Sequence, residues 1–198
     1  MALTCWALDV KWAGSMSRMV GILKAIANRY PVTRGIATYS LLLPASNITQ
    51  QLLDPHRKKY DPYETLHFGV FGACILAPSL YCWVCMANVI VRVETLKGAV
   101  LKAIIEQFTW APFAYAQFYV CINLMEGKSW EECISQCRSK IPQTWKTGIC
   151  IWPLIQTVNF WIIPMKHRVS FVAFFSYLWN TFLSYMHHKL VAAKDIKG

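Results

Sequence analysis

The sequence predicts an all-α fold, a polytopic membrane helix bundle of four spans, with five apolar helices as the alternative count. Hydrophobic residues make up 56% of the 198 residues and charged residues only 15%, against about 25% charged in average soluble domains. Nine Trp, nine Tyr and ten Phe are typical of interfacial belts and helix packing in a bilayer. The third observation is a series of apolar segments, which span residues 35–53, 66–91, 108–125, 149–163 and 169–186.

Residues 1–29 form the first predicted unit, a basic amphipathic segment. From Met16 onward the apolar residues share one helical face, and Asp9 is the one acid before Asp54. This pattern is typical of a mitochondrial targeting sequence and of a helix lying on the membrane surface. The two interpretations are compatible, and they favour the mitochondrial inner membrane, with the peroxisomal membrane as the alternative.

The bundle domain is predicted over residues 30–190, and its first segment, 35–53, is polar for a span. Polar residues recur along it, including Gln51, and we expect Pro44 to break its middle. A span of this polarity faces neighbouring helices or a cavity rather than lipid.

The second and third segments are more apolar. Residues 66–91 would extend about 39 Å as a helix, longer than the bilayer core of about 30 Å, so a tilt or a kink at Pro78 is expected. Small residues spaced four apart within it favour close approach of another helix. In segment 108–125 we expect a bend at Pro112 and a buried Gln117. The small residues of the second segment are Gly69, Ala73 and Ala77.

A polar loop, residues 126–146, precedes the last two segments. Ser129 and Glu132 have the spacing of a capping box, which predicts a short amphipathic surface helix. Segment 149–163 carries Pro153 and ends at Pro164; its 15 residues are short for a crossing, and a half-buried helix is the alternative. Segment 169–186 is long enough to cross, and a polar tail, 191–198, follows it.

The last two segments carry polar residues at helical spacing, and their pattern resembles a known family. Trp152-Pro153, Gln156, Asn159-Phe160, Pro164 and Arg168, followed by Trp179-Asn180 and Leu183-Ser184, resemble the signature of the Mpv-seventeen / peroxisomal membrane protein two family. The resemblance implies a small multi-span protein of mitochondrial or peroxisomal membranes, regarded as channel-like and linked to mitochondrial homeostasis and reactive-oxygen metabolism. Closely similar proteins are called Mpv-seventeen-like.

Two functional hypotheses follow for the buried polar residues. They either line a pore for small solutes or form interhelical hydrogen bonds of about 0.6 kcal/mol each in an accessory protein without a conduit. The resemblance favours the pore. Lys102 and Glu106, one helical turn apart and able to pair, are candidates for a mouth or gate with Arg168. The candidate lining or packing residues are Gln51, Gln117, Gln156, Asn159, Ser176, Asn180 and Ser184.

Other functional classes find little support. We see no nucleophile elbow, phosphate loop, zinc motif or paired carboxylates, so we expect no enzyme activity, cofactor or metal site. The net charge of +10 is distributed between apolar runs rather than on one surface, so nucleic acid is not an expected partner. The expected partners are the lipid bilayer, small solutes and, as a candidate assembly, a homo-oligomer. Cys82 and Cys85, and likewise Cys133 and Cys137, are interpreted as packing residues rather than metal or redox sites.

Overall fold

Helices connected by short turns make up the described part of the chain, which confirms the predicted all-α class. The computed structural model describes Gly21, Ala25, residues 28–54, Arg57 and residues 59–195, and from residue 183 onward its backbone alone. The predicted amphipathic segment 1–29 therefore lies largely outside the described residues. The last helix continues to Asp195, into the tail predicted over 191–198.

The helices follow one another with short connections. Capping by side chains explains several starts: Asp61 caps the second helix, Thr95 the fourth and Ser129 the sixth. The elements are α1 (Val32–Leu53), α2 (Pro62–Val70), a π-helical turn (Phe71–Leu76), α3 (Ala77–Ile90), α4 (Leu96–Phe108), α5 (Trp110–Met125), α6 (Trp130–Gly148), α7 (Trp152–Trp161), a 3₁₀ turn (Met165–His167) and α8 (Arg168–Asp195).

The chain traverses the bundle five times, as the side-chain contacts between helices demonstrate. Partner numbers fall as α4 and α5 advance: Lys102 lies near Phe160, Glu106 near Gln156, and Tyr119 near Thr144. The unit α4–α5 is therefore antiparallel to α6–α7. In contrast, partner numbers rise together between α1 and α8, where Thr38 bonds Ser170 and Gln50 bonds the Asn180 carbonyl, so these two helices are parallel. These two contacts lie near opposite ends of α1.

Small residues allow α1 to approach its neighbours closely. A Cβ added to Gly72 would lie 3.1 Å from the Tyr39 carbonyl oxygen of α1, and one added to Gly69 would lie 3.1 Å from Pro44. On the other side of α1, a Cβ at Gly35 would overlap the side chain of Val169 on α8. Glycine is required at Gly35 because a methyl group there has no space.

The prolines act differently from one another. The prediction that Pro44 breaks its helix is wrong, because α1 is continuous from Val32 to Leu53. Pro78 lies two residues after the π turn, inside the continuous helical unit Pro62–Ile90, so its missing N–H falls where the hydrogen-bond pattern changes from π to α. The other predicted helix breaks lie near helix starts or in a connection: Pro112 in α5, Pro153 in α7, and Pro164 between α7 and α8.

The protein exposes a large apolar surface. Leu41, Leu52 and Leu154 are more than 70% exposed, and an exposed apolar belt of this kind marks a membrane or protein contact. Among the described residues, the unit Pro62–Ile90 alone meets the length and hydropathy expected of a spanning helix, with a mean hydropathy of 1.8. Helix α7 has ten residues, about 15 Å, and is too short to cross a bilayer by itself.

Candidate functional site: a buried polar network beside a central cavity

A carboxylate, Glu106, organises the polar interior. It is 3% exposed and accepts hydrogen bonds from Trp83 Nε1 at 2.9 Å and from Gln156 Nε2. Asn159 extends the network by donating to Gln156 Oε1 at 2.8 Å. Gln156 reaches Glu106, and Asn159 reaches Gln156, because the two amides share one face of α7 and that face packs on α4. The amide spacing seen in the sequence is thus directed at another helix.

The predicted pair between Lys102 and Glu106 is wrong. Lys102 Nζ donates instead to Asn88 Oδ1 at 2.7 Å, and Arg168 Nη1 donates to the same oxygen at 3.0 Å. Both cations also lie over the Phe160 ring, at 5.7 and 5.5 Å from its centre. Residues Asn88, Lys102 and Arg168 form what we call the cation cluster, one turn of α4 away from Glu106. Lys102 therefore bonds to Asn88 on α3, which it shares with Arg168 on α8, rather than to Glu106 on its own helix.

A cavity of about 390 Å³ lies on the other side of Glu106. Gln107 lines it, is 2% exposed, and neither Oε1 nor Nε2 has a hydrogen-bond partner. A buried amide without partners costs about 1–3 kcal/mol, so its position on a cavity indicates a place for water or solute. Further polar and charged residues line the cavity, namely Gln50, Glu64, Asn123, Glu126, Lys128, Gln136, Lys140, Thr144, Gln156, Ser176 and Asn180. Aromatic residues lining it include Trp110, Tyr115, Phe118, Trp152 and Trp179.

Three of the predicted lining residues, Gln156, Ser176 and Asn180, lie on this cavity. Asn159 is fully buried in the network behind them, and Gln117 accepts a hydrogen bond from Ser79 at 3.2 Å. Both act in helix packing. The side chain of Ser184 lies outside the described residues.

Gln51 belongs to a separate cluster at the far end of α1. Its Nε2 donates to Asn47 Oδ1 at 2.7 Å, and Thr65 donates to the same oxygen at 2.7 Å. Asn47 Nδ2 donates to Glu64, which pairs with Arg57 at 2.6 Å. Glu64 thus brings a carboxylate from α2 to the amide of Asn47 on α1. The cluster joins α1 to α2 and is a packing device.

Sequence reasoning missed Trp83, Asn88 and Gln107. Asn88 could have been found, because it is an amide within the uncharged run 66–91, where the argument used for Gln156 applies equally. Trp83 carries no polar pattern, since a tryptophan in an apolar segment is an ordinary packing residue. Gln107 gives no periodic signal, and only its contact with the cavity distinguishes it.

Helix α6 behaves as predicted at its start. The capping box is present: Ser129 N donates to Glu132 Oε2 at 2.8 Å and Glu132 N donates to Ser129 Oγ at 3.3 Å. These bonds hold the pKa of the Glu132 carboxyl below its ordinary value. Cys133 is fully buried. The pKa of the Cys137 thiol is raised, mainly by burial and to a smaller extent by the neighbouring Cys133. A raised pKa reduces the thiolate fraction and hence thiol reactivity.

Comparison with known proteins identifies one family and several relatives that this chain resembles. Residues 123–184 match the model of the Mpv17 / PMP22 family. The protein SYM1 of Saccharomyces cerevisiae is 25% identical over 182 residues, covering 88% of this chain and 92% of SYM1. The mitochondrial inner membrane protein Mpv17 of Caenorhabditis briggsae is 24% identical over 160 residues, covering 81% and 87%, and the Mpv17-like protein of Xenopus laevis is 26% identical over 169, covering 85% and 82%. No solved structure matches.

The all-α fold, the exposed apolar belt and the polar interior are those of an integral membrane protein, and the relatives that the chain matches include a mitochondrial inner membrane protein. The chain's similarity to the Mpv17 / PMP22 family confirms the resemblance found in its last two segments. Its relatives also confirm the predicted location in the mitochondrial inner membrane.

Proposed function

We propose that the protein is a channel-like pore for small solutes, with the central cavity as part of its path. The observation that carries the proposal is the cavity of about 390 Å³ beside Gln107, whose buried amide has no partner. That volume has room for about ten water molecules. Side chains of both helix α7 and helix α8 contribute neutral polar groups to its wall, as a weakly selective water path requires.

The network around Glu106 and the cation cluster are the proposed constriction. They lie one helical turn apart on α4 and fill the interior next to the cavity. A solute that leaves the cavity along α4 must displace the bonds that Gln156 makes to Glu106. We therefore assign Lys102, Glu106 and Arg168 to the closed part of the path.

For the bilayer arrangement we propose four spans: α1, the unit α2–α3, the unit α4–α5, and α8. The segment α6–α7 returns the chain between the third and fourth spans, because α1 and α8 are parallel. Its last part, α7, packs on α4 inside the bundle, and its first part, α6, keeps its charged face in water. We propose a homo-oligomer as its assembly, with the exposed apolar belt shared between lipid and neighbouring copies.

A structural role without a conduit is the second candidate, and one observation favours it. Most predicted lining residues already make interhelical hydrogen bonds, as Gln51, Gln117, Gln156 and Ser176 do. In that case the cavity is a packing defect, and the protein acts as an accessory membrane subunit.

Conductance of purified protein in planar bilayers distinguishes the two candidates. Asn180 lines the cavity and is half-buried, so Asn180→Asp should raise the permeability ratio of cations to anions and Asn180→Lys should lower it. Gln117→Glu is the matched control, because Gln117 is half-buried and polar but does not line the cavity. Folded wild-type protein that does not conduct, or equal permeability ratios in both Asn180 variants, would contradict the pore.

A further inference from the structure

The cation cluster places two positive charges on one neutral oxygen. Lys102 is 3% exposed and Arg168 is 9% exposed, and both donate to Asn88 Oδ1. Their nitrogens therefore lie no farther apart than the sum of the two bond lengths, 2.7 and 3.0 Å. Buried charges of like sign at this separation repel each other and have lost most of their hydration. An amide dipole and the face of Phe160 compensate this only in part.

No described carboxylate pairs with either cation. The ion pairs among the described residues are those of Arg57 with Glu64 and of Lys128 with Glu126, both remote from this cluster along the chain. Glu94 is the acid whose charge acts on both Lys102 and Arg168, but it is exposed and makes no contact with them. Glu106, one turn away, is occupied by Trp83 and Gln156.

The cluster retains unused hydrogen-bond donors. An ammonium has three N–H groups, and Lys102 uses one of them on Asn88. Arg168 uses Nε on the Ile163 carbonyl at 3.0 Å and Nη2 on the Phe160 carbonyl at 2.9 Å, which fixes the guanidinium and leaves further N–H groups. Asn88 Nδ2 has only the Met165 sulfur at 3.2 Å, a weak acceptor. Three side chains from three helical elements thus offer donors at one point.

The surroundings are basic and close to the surface. The cluster lies where α3 ends, α4 begins and α8 begins, beside the linker at residues 91–95 and the 3₁₀ turn Met165–His167. Exposed basic residues flank it on these segments, namely Arg92, Lys97 and Lys166. An anion approaching this end of the bundle is therefore attracted toward the cluster before it makes direct contact.

We propose that Asn88, Lys102 and Arg168 form a binding site for a phosphate group. A phosphoryl group has several oxygens on one tetrahedral centre, which suits a fixed guanidinium, an ammonium and an amide converging from different directions. The group comes from an anionic lipid of the surrounding leaflet or from soluble phosphate. The site does not depend on conduction through the cavity, because the cluster lies on the far side of Glu106 from it.

The variant Asn88→Asp tests the site without changing its shape. The new carboxylate supplies a permanent anion between the two cations, so the purified protein in chloride should unfold at a higher temperature than wild type. Inorganic phosphate should raise the Tm of wild type relative to chloride at the same ionic strength. In Asn88→Asp, the apparent Kd for phosphate should weaken about tenfold or more, as expected for loss of a charge-assisted contact.

Asn123→Asp is the matched control. Asn123 is also buried, at 4% exposure, and accepts a hydrogen bond from Lys128 Nζ at 2.8 Å. Lys128 already pairs with Glu126 at 2.6 Å, so no uncompensated cation is present there. The control should keep the full response to phosphate.

The source of the phosphate group is identified by reconstitution. Native mass spectrometry of protein from vesicles of phosphatidylcholine with phosphatidylglycerol should detect one more retained anionic lipid on wild type than on Asn88→Asp if the source is lipid. If the source is soluble, inorganic phosphate should stabilise wild type equally in vesicles with and without phosphatidylglycerol. The proposal is overturned if neither source distinguishes wild type from Asn88→Asp, or if Asn88→Asp is less stable than wild type in chloride.

Discussion

Glu106 is the residue on which the interior polar contacts converge. Its two oxygens accept from Trp83 on α3 and Gln156 on α7, so one side chain joins three helices. Each donor is buried, at 4% exposure for Trp83 and 1% for Gln156. Removing the acceptor would leave these donors unsatisfied in an environment without water, which is more costly than the bond itself is stabilising.

Glu106→Gln should destabilise the protein by about 1–3 kcal/mol, because an amide can accept at one end only and must turn its NH₂ group toward a donor. Thermal unfolding followed by tryptophan fluorescence measures the effect. Glu126→Gln is the control: Glu126 is in a partly exposed ion pair with Lys128, and such pairs contribute about 0–1 kcal/mol. Equal stability of the two variants would argue against the network.

For single residues, the spacing of polar residues predicted the helix face that they share better than it predicted their hydrogen-bond partners. The positions of Gln156 and Asn159 on one face of α7 followed from their separation by three residues. Lys102 and Glu106 had an equally good spacing but do not pair, because each bonds instead to a side chain of α3: Lys102 to Asn88 and Glu106 to Trp83. Contacts between distant segments are set by how the helices pack, and a single sequence contains no direct record of that.

At the scale of elements, the pairing of α1 with α8 depends on a single small residue. Gly35 lies against Val169, which is 3% exposed, and the side chains of Thr38 and Ser170 bond at 2.9 Å next to this contact. The close approach lets polar side chains on both helices bond each other. This is the usual advantage of small residues at helix interfaces in membranes.

Gly35→Ala should lower stability by about 1–3 kcal/mol, because the added methyl group forces the two helices apart. The double variant Gly35→Ala with Val169→Ala should recover part of the loss, which thermal unfolding would measure. Gly21→Ala is the control, since nothing lies within 4 Å of a Cβ at that position. If Gly35→Ala proves as stable as wild type, α1 and α8 do not pack as described.

Helix boundaries were predictable where local chemistry sets them. The capping box at Ser129 correctly predicted the start of α6. Pro44 misled, because its position in an apolar segment indicated a break, whereas α1 passes through it. Pro44 packs closely against Gly69 of α2, a tertiary contact that the local sequence does not reveal.

For the whole molecule, the parallel arrangement of α1 and α8 determines how the loops are distributed. Five passes place the loop before α2 and the loop before α6 at one end of the bundle. The linker between α3 and α4 and the turn before α8 lie at the other end. An even number of passes between α1 and α8 would have made them antiparallel.

This arrangement predicts the labelling of single cysteines in proteoliposomes, in a background without the native cysteines. Tyr60→Cys and Glu131→Cys should react with an impermeant maleimide from one side, and Val93→Cys and Lys166→Cys from the other; all four positions are exposed. Labelling of positions 60 and 166 from the same side would mean that α6–α7 does not return the chain.

The π turn between α2 and α3 has a consequence for how chain length can vary. A π turn accommodates one more residue than an α-helical turn. Deleting a residue from Phe71–Leu76 would convert it to regular helix and rotate all of α3 by about 100° about its axis. Trp83 and Asn88 would then rotate away from Glu106 and Lys102. A single deletion here would therefore disrupt both interior clusters without removing any of the residues that form them.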